Sequence, residues 1–373
     1  MFLDYAATTP LSFDMKNYIF ELLDYFYNPS STYQNGLNVK NIIENSRNSV
    51  AKFINCEPEN VVFTSSGSAS NTLGIKGYFQ RHDCCILYSP IAHKSILECV
   101  KSHTASYPLK VDSCGNVDIK HLEWLLDNTY YKPFIVIDLA NSEIGTIQNN
   151  ILKIIELVHF YNGIIMLDCT AYIPHFKVDS TLLNADMLTF SAHKLGALKG
   201  CGVLYKKSDI ELEPIVYGNQ ENGLFGGTEN VLSIASTGKA VNEFIYIHTD
   251  FNRCKYVYDF INKNIENSYL VGEIFENRLP NNLFICFKGI VGESLMTLLD
   301  MNNIQVSTGS ACSSGSLTPS EALLAIGINN KDINSCIRIT LLGKETIDEL
   351  NYFCSILKKC VEQLRSFTWI MVN

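Results

Sequence analysis

Short apolar runs alternate with helix-like segments through the first two thirds of the chain. The runs are typical of buried strands, and they lie at residues 60–64, 84–88, 134–139, 164–167, 187–190 and 201–205. Between them, apolar positions recur at helical spacing, for example at 67–79, 119–126 and 151–161. This alternation predicts an α/β fold in which helices cover both faces of a mostly parallel sheet. Ligands bind such sheets at the carboxyl ends of the strands.

The pattern changes beyond residue 249. Longer helical patterns at 251–266, 293–300 and 346–367 alternate there with short strand-like runs at 283–287 and 337–341. A chain of 373 residues also exceeds what a single hydrophobic core usually holds. We therefore predict a large domain of residues 12–249 and a smaller α+β domain formed by residues 1–11 and 250–373. A connecting helix near 238–247 is the predicted boundary.

Composition narrows the class of protein. The net charge of -9, from 29 basic and 38 acidic residues, argues against nucleic acid or an anionic membrane as a partner. The apolar runs are too short to span a bilayer. The 13 cysteines are odd in number, scattered and without a CxxC pair, which indicates reduced thiols and no metal site. With neither a secretory signal nor a transit peptide in the N-terminal segment, we expect a cytoplasmic protein.

Lys194 lies at the centre of a stretch, residues 183–205, that contains two of the apolar runs. It follows the first run in the sequence SAHK, and Gly196 and Gly200 punctuate the loop behind it. Burial lowers the proton affinity of a lysine amine, which then can form a Schiff base with a carbonyl cofactor. An isolated lysine is more often a surface residue in a turn, so the interpretation depends on other strand ends.

Three further polar positions follow predicted strands. Asp168 ends the run GIIMLD, where a carboxylate can keep a pyridinium nitrogen protonated or can simply cap the next segment. Residues 65–68, which include Gly67 and Ser68, lie between a strand and a helix and can receive a phosphate or serve as an ordinary N-cap. His93 follows the next strand and can stack on an aromatic ring, move a proton or be structural.

Two candidates lie in the last third of the chain. Cys312 is surrounded by small polar residues in STGSACSSGS, residues 307–316, so we expect an exposed, mobile loop suited to a thiol that reaches a substrate. A flexible linker with an incidental cysteine is the alternative. Arg338 lies in the strand-like run CIRIT, and its planar fork suits a carboxylate, with a surface salt bridge as the alternative.

The ordered motifs LDYAATTP, NPSS, VVFTSSGSASNTLGIKG, NSEIGTIQ, LDCTA, SAHK, GLFGGTEN, STGSACSSGS and IRITLLGKETIDEL carry a family resemblance. The chain resembles the cysteine desulfurases of the NifS/IscS type, which belong to the class V aminotransferase group. The resemblance covers nearly the whole chain. It implies the fold type I of the PLP-dependent transferases, with a mostly parallel central sheet, and pyridoxal 5'-phosphate (PLP) as the cofactor.

The resemblance also implies roles for individual residues. Lys194 matches the lysine that binds the cofactor and moves the substrate Cα proton, and Cys312 matches the nucleophile that becomes a persulfide. Arg338 matches the residue that grips the substrate carboxylate, while His93 matches an imidazole stacked on the ring with an acid/base role. Further matches are Asp168 for the pyridine nitrogen, Gly67, Ser68, Ser191 and His193 for the phosphate, Thr228 for the phosphate of the neighbouring subunit, and Asn141 for the phenolic oxygen or the substrate.

The implied reaction converts L-cysteine to L-alanine and transfers sulfur, as a persulfide, to an acceptor protein of iron-sulfur cluster assembly or tRNA thiolation. A homodimer is implied because Thr228 would serve the other subunit. Six positions depart from the family: Ala171 and Ser142 replace a Gln and an Asn that contact the phenolic oxygen, and Phe225 replaces an Arg. Ala69 and Asn71 replace acidic residues of the phosphate loop, and Tyr33 replaces a His. These departures leave two alternatives, a degenerate homologue acting as scaffold or regulatory partner, and a selenocysteine lyase or other β-elimination enzyme.

Overall fold

The computed structural model describes residues 1–244, 251–308 and 320–372, with the backbone alone for residues 367–372. The helices in these ranges are α1 (Phe13–Leu22), α2 (Gln34–Ile54), α3 (Gly67–Arg81), α4 (Lys94–Val100), α5 (Ile119–Asp127), α6 (Ile151–Phe160), α7 (Ser180–Leu183), α8 (Val231–Asn242), α9 (Asn252–Asn264), α10 (Gly292–Met301), α11 (Glu321–Ala325) and α12 (Ile347–Val372). The strands are β1 (Val61–Thr64), β2 (Cys84–Tyr88), β3 (Ser106–Pro108), β4 (Lys132–Asp138), β5 (Ile164–Asp168), β6 (Met187–Ser191), β7 (Gly202–Lys206), β8 (Ser268–Leu270), β9 (Asn282–Phe287), β10 (Ser307–Thr308) and β11 (Cys336–Thr340).

A seven-stranded sheet has the strand order β1-β7-β6-β5-β4-β2-β3. Strands β3, β2, β4, β5 and β6 are mutually parallel, whereas β7 is antiparallel to both of its neighbours, β6 and β1. Because β7 is antiparallel to both β6 and β1, β1 runs in the same direction as β6. The carboxyl ends of β1, β2, β4, β5 and β6 therefore share one edge of the sheet, and the predicted mostly parallel α/β sheet is confirmed.

Helices cover both faces of this sheet, as the apolar runs predicted. Alternate residues of a strand point to opposite faces, and in β4 Ile135 and Ile137 join one buried cluster while Phe134 and Val136 join another. The first cluster takes in residues of α2, α5, α6 and α8, and the second takes in residues of α3 and α4. A strand buried on both faces needs a continuous apolar run, which explains why the strands were readable from the sequence.

A second, antiparallel sheet has the order β10-β11-β9-β8 and packs with α9, α10 and α12 around a core of its own. The N-terminal residues join it, because Phe2 pairs with Gln305, Asp4 pairs with Thr340, and Leu3 is fully buried in that core. The domain limits at residues 12 and 249 stay a prediction. The helix predicted at 238–247 corresponds to α8, which ends at Asn242, and residues 245–250 lie outside the described ranges.

Across the described residues, no helix combines the length and the apolar character needed to cross a membrane.

Candidate active site

Lys194 lies in a short 3-10 turn, Ala192–Leu195, directly after β6. Gly196 ends the turn with a positive φ of 85°, a conformation that glycine adopts without strain. The half-buried amine of Lys194 donates to the carbonyl of Ala6. Thr9 Oγ1 also donates to the carbonyl of His193 at 2.8 Å. The first ten residues of the chain thus hold the lysine turn in place at the edge of the large sheet.

His193 is a neutral hydrogen-bonding group near pH 7. Its Nδ1 lies 3.1 Å from Thr8 Oγ1. Burial, together with the positive charges of Lys194 and Lys199, lowers the pKa of its imidazole to about 4. A protonated His193 would add a third positive charge beside two lysines, which explains the direction of the shift.

Asp168 is the last residue of β5, the strand next to β6, so the fold brings Asp168 and Lys194 to neighbouring strand ends. Its carboxyl group is buried. One oxygen accepts the backbone N-H of Thr170 at 2.8 Å, and the other accepts from Asn71 Nδ2 at 2.8 Å. Two N-H donors therefore orient the carboxylate in a dry position at the strand end, where it can pair with a protonated ring nitrogen.

Gly67 begins α3, and glycines let this helix approach the strand ends closely. A Cβ atom on Gly67 would lie 3.0 Å from the Cβ of Ser191, and a Cβ on Gly202 would lie 2.2 Å from the Ser66 carbonyl group. Ser66 caps α3 by accepting the N-H of Ala69 at 3.1 Å, and Ser68 in the first turn is exposed. The N-terminus of α3 and Ser191 therefore form a cradle of N-H groups and hydroxyls that suits a phosphate.

His93 is the N-cap of α4 and is exposed. Its Nδ1 accepts the backbone N-H of Ser95 at 3.2 Å and lies 2.8 Å from Ser95 Oγ. The ring is thereby anchored to α4 through Nδ1.

Arg338 lies in the middle of β11 and is buried, so it is not part of a surface salt bridge. One Nη donates to Asp4 Oδ1 at 2.8 Å and the other to the carbonyl of Ser142 at 3.1 Å. Its buried Nε has no hydrogen-bond partner among the described residues. A buried guanidinium with an unused donor is suited to an incoming carboxylate.

Asn141 is buried, and its amide is fully used inside the chain. Nδ2 donates to the carbonyl of Ile91 at 2.6 Å and to Asp138 Oδ2 at 3.0 Å, while Oδ1 accepts the N-H groups of Glu143 and Ile144 at 2.9 Å each. These bonds build the turn that follows β4. Asn141 therefore shapes the loop whose next residue, Ser142, presents its carbonyl to Arg338.

The other predicted site residues lie in less constrained places. Thr228 is exposed and follows Gly227, whose N-H donates to Gln220 Oε1 at 3.0 Å. Phe225 packs against the cluster that contains α3 and α4, where a charged Arg would be out of place. Ala171 is half-buried and directly follows Thr170, whose N-H Asp168 accepts, so it lies close to this carboxylate along the chain.

Cys312 lies outside the described residues, and so does the expectation of an exposed, mobile loop around it. The preceding strand is described: β10 pairs with β11 so that Ser307 lies opposite Arg338. The chain therefore enters the stretch that contains Cys312 from a position next to the predicted carboxylate-binding arginine.

Sequence reasoning missed two acidic groups. Asp138 ends β4 opposite Asp168, and burial with the nearby Asp168 charge raises its pKa to about 6, against hydrogen bonds that lower it. Burial likewise raises the pKa of Glu143 to about 7, although Arg338 nearby lowers it. A signal for Asp138 existed, because its run FIVID ends in an acid just as IIMLD does at Asp168.

The site's donor set fits PLP, and the fit is visible in the structure. The glycine-lined cradle at α3 suits the phosphate, the buried Asp168 suits the ring nitrogen, and the Lys194 amine suits the aldehyde carbon. These three groups come from β1, β5 and β6, whose carboxyl ends share one edge of the sheet.

Comparison with known proteins agrees with this arrangement. The family model for class-V aminotransferases matches residues 1–353. The chain belongs to the class-V aminotransferase family. It is 35% identical over 384 residues to the cysteine desulfurase IscS of Dictyoglomus turgidum, covering 99% of this chain and 96% of the relative.

Solved structures give the same answer. A NifS-like protein matches with a TM-score of 0.89 and 26% identity, covering 98% of this chain and 100% of that one. A structure of SspA in complex with cysteine matches with a TM-score of 0.79 and 27% identity, over 92% of this chain and 99% of that one. The resemblance to NifS/IscS-type cysteine desulfurases and the predicted fold type I architecture are confirmed.

Proposed function

We propose that this class-V aminotransferase is a PLP-dependent cysteine desulfurase, which converts L-cysteine to L-alanine and passes the sulfur on as a persulfide. The observation that carries the proposal is the convergence of Lys194, Asp168 and the N-terminus of α3 at one edge of the sheet. The name carried by its relatives selects the reaction within the family.

PLP, when bound, supplies an electron sink that stabilises negative charge at the substrate Cα. We assign its ring nitrogen to Asp168 and its phosphate to Gly67, Ser68, Ser191 and His193. His193 serves there as a neutral hydrogen-bonding partner, because its low pKa keeps it uncharged near pH 7. Asn141 supports the same edge by building the turn after β4.

The chain's own residues then divide the remaining work. Arg338 binds the substrate carboxylate, and Asp4 with the Ser142 carbonyl holds the guanidinium in the orientation for it. Lys194 takes the Cα proton and returns it, because its turn places the amine at the strand end next to Asp168. His93, anchored on α4, would stack on the cofactor ring.

Cys312 supplies the sulfur-accepting thiolate. Its sulfur attacks the substrate sulfur, an S-S bond forms as the bond from sulfur to Cβ breaks, and the electron pair of that bond stays with the organic product, which is released as alanine. The persulfide on Cys312 then passes its outer sulfur to an acceptor protein of iron-sulfur cluster assembly or tRNA thiolation.

We further propose a homodimer in the cytoplasm. Large aromatic side chains are exposed on and after α1, at Phe13, Phe20 and Phe26, and a second copy of the chain is the partner that would bury them. The twelve cysteines in the described ranges are all free, in keeping with a reducing compartment.

Alanine and sulfide release from L-cysteine tests the proposal. We expect the wild type with PLP and a reductant to release both products in equal amounts, and Lys194→Ala and Cys312→Ala to release neither. Lys177→Ala and Cys56→Ala are matched controls, since Lys177 is exposed and Cys56 lies away from the sheet edge after α2, and we expect both to retain activity.

The same assay separates the alternatives. A scaffold homologue would release no alanine and would not gain visible absorption on addition of PLP. A lyase or other β-elimination enzyme would turn over after Cys312→Ala, because only persulfide transfer requires that thiol.

A further inference from the structure

A continuous line of hydrogen bonds joins His93 to Asp168 through Asn71 and Ser95, two residues to which the family resemblance assigns no role. Asn71, on α3, donates from Nδ2 both to Asp168 Oδ2 at 2.8 Å and to Ser95 Oγ at 3.0 Å. Ser95 Oγ lies 2.8 Å from Nδ1 of His93. Thr189 Oγ1, in β6, donates to Asn71 Oδ1 at 2.5 Å. Helix packing between α3 and α4 thus connects two predicted site residues.

The direction of each bond follows from the donors and acceptors present. A carboxylate at Asp168 only accepts hydrogen bonds, so the NH2 group of Asn71 must face it. The amide oxygen of Asn71 then accepts from the Thr189 hydroxyl. Asn71 and Thr189 are buried, which holds the amide in this orientation. Its second N-H therefore points to Ser95 Oγ, which accepts.

The backbone N-H of Ser95 is directed at Nδ1 of His93 at 3.2 Å, so Nδ1 acts as an acceptor. The Ser95 hydroxyl, whose oxygen lies 2.8 Å from the same nitrogen, therefore donates its proton to it. With two donors directed at it, Nδ1 of a neutral His93 must be the unprotonated nitrogen.

We propose that Asn71 and Ser95 are positioning residues that place the proton of neutral His93 on Nε2 and couple this ring to the Asp168 carboxylate. The inference rests on the proposed function, in which His93 faces the cofactor. His93 then presents an N-H donor rather than a lone pair to the crevice. Proton abstraction at the substrate Cα is left to Lys194, and His93 contributes a hydrogen bond to the reacting groups.

Ring-nitrogen NMR of protein labelled with ¹⁵N-histidine reads the tautomer directly, with His93→Gln used to assign the signal. We expect the Nε2-H form at neutral pH in the wild type, with and without PLP. In Asn71→Ala and Ser95→Ala we expect Nδ1-H to become populated, because Ser95→Ala removes the hydroxyl donor to Nδ1 and Asn71→Ala frees the Ser95 oxygen to accept a proton from Nδ1. Ser95→Thr keeps the hydroxyl and should restore the wild-type signal.

Ser102→Ala is the matched control, because its hydroxyl donates to the Cys99 carbonyl near the end of the same helix and does not reach His93. We expect this control to leave the tautomer and turnover unchanged. Ser95→Ala, in contrast, should lower kcat by roughly tenfold, which corresponds to the loss of one hydrogen bond of about 1.4 kcal/mol. A wild-type His93 found as Nδ1-H, or one unchanged in both Asn71→Ala and Ser95→Ala, would overturn the inference.

The tautomer is measured without turnover, so the two proposals fail separately. An inactive protein with Nε2-H on His93 would contradict the desulfurase proposal alone. An active desulfurase with Nδ1-H on His93 would contradict the positioning role alone.

Discussion

Asp138 is a buried carboxyl group at the end of β4, and its ionisation lowers the stability of the fold as the pH rises. An aspartate in an unfolded chain has a pKa near 4, whereas burial raises the pKa of Asp138 to about 6. The folded protein therefore binds this proton more tightly than the unfolded chain does. Its stabilising effect is complete below about pH 4 and is lost by about pH 6, a change on the order of 3 kcal/mol.

Asp138→Asn should remove this pH dependence. An asparagine oxygen can still accept from Asn141, but the amide cannot ionise. We expect the melting temperature of the variant to rise relative to the wild type as the pH increases from about 4 to about 7. Thermal unfolding of both proteins across this range, followed by tryptophan fluorescence, measures the difference.

Asp83→Asn is the control for this experiment, because Asp83 is exposed just before β2 and should show little such trend. If the difference between wild type and Asp138→Asn were the same at every pH, Asp138 would ionise like an ordinary surface aspartate.

At the scale of elements, α2 is tied to the sheet by a buried ion pair. Arg47 donates through both Nη atoms to the two oxygens of Glu221, each at 2.8 Å, and also to the Val61 carbonyl at 2.7 Å. Glu221 in turn accepts the N-H of Phe63 at 2.7 Å. One bidentate pair thus links α2, β1 and the loop that continues to Thr228.

Arg47→Met should destabilise the protein by about 3 to 5 kcal/mol, because it leaves the buried Glu221 carboxylate without its cation. Urea unfolding measures the change. Arg81→Ala is the control: Arg81 also pairs with two carboxylates, Glu211 and Glu213, but in an exposed position, so we expect little effect. A similar loss in both variants would mean that burial does not govern the strength of these pairs.

Helix α2 also shows where the sequence pattern was insufficient. Its buried residues Val39, Ile43, Val50 and Ile54 have helical spacing, yet the sequence pattern alone predicted no helix there. Asn and Ser residues fill the positions between them and weaken the contrast between faces. The strands were easier, since burial on both faces makes each of them a continuous apolar run.

For the whole molecule, the proposed homodimer makes Thr228 of one subunit part of the other subunit's site. We expect Thr228→Ala to bind PLP more weakly than the wild type, because a phosphate contact is lost. Co-expression of Lys194→Ala with Thr228→Ala, under separate affinity tags, should yield mixed dimers with more cysteine desulfurase activity at limiting PLP than either variant alone. One of their two sites then combines an intact Lys194 with an intact Thr228.

The double variant Lys194→Ala/Thr228→Ala, co-expressed with Thr228→Ala, is the control and should regain nothing. If Thr228 served the site of its own subunit, the original mixture would also show no gain over Thr228→Ala alone, because each site would lack one of the two residues.

The sequence by itself determined the α/β class, the order of the motifs and the family, because buried strands and contiguous motif residues are local properties of the chain. It also identified Lys194 and Asp168 as candidate site residues, because Asp168 ends a strand-like run and Lys194 follows one closely. The roles of the individual site residues, including Cys312 and Thr228, and the domain limits stay predictions.

Only the tertiary structure decided how the site is connected. Asn71 and Ser95 lie on two different helices and Asp4 near the N-terminus, far apart along the chain, and each is an ordinary polar residue in its local sequence. Their partners are set by the packing of α3 against α4 and by the pairing of the N-terminal residues with β11. Hydrogen-bond networks of this kind depend on distances between elements, which the local pattern of a sequence does not contain.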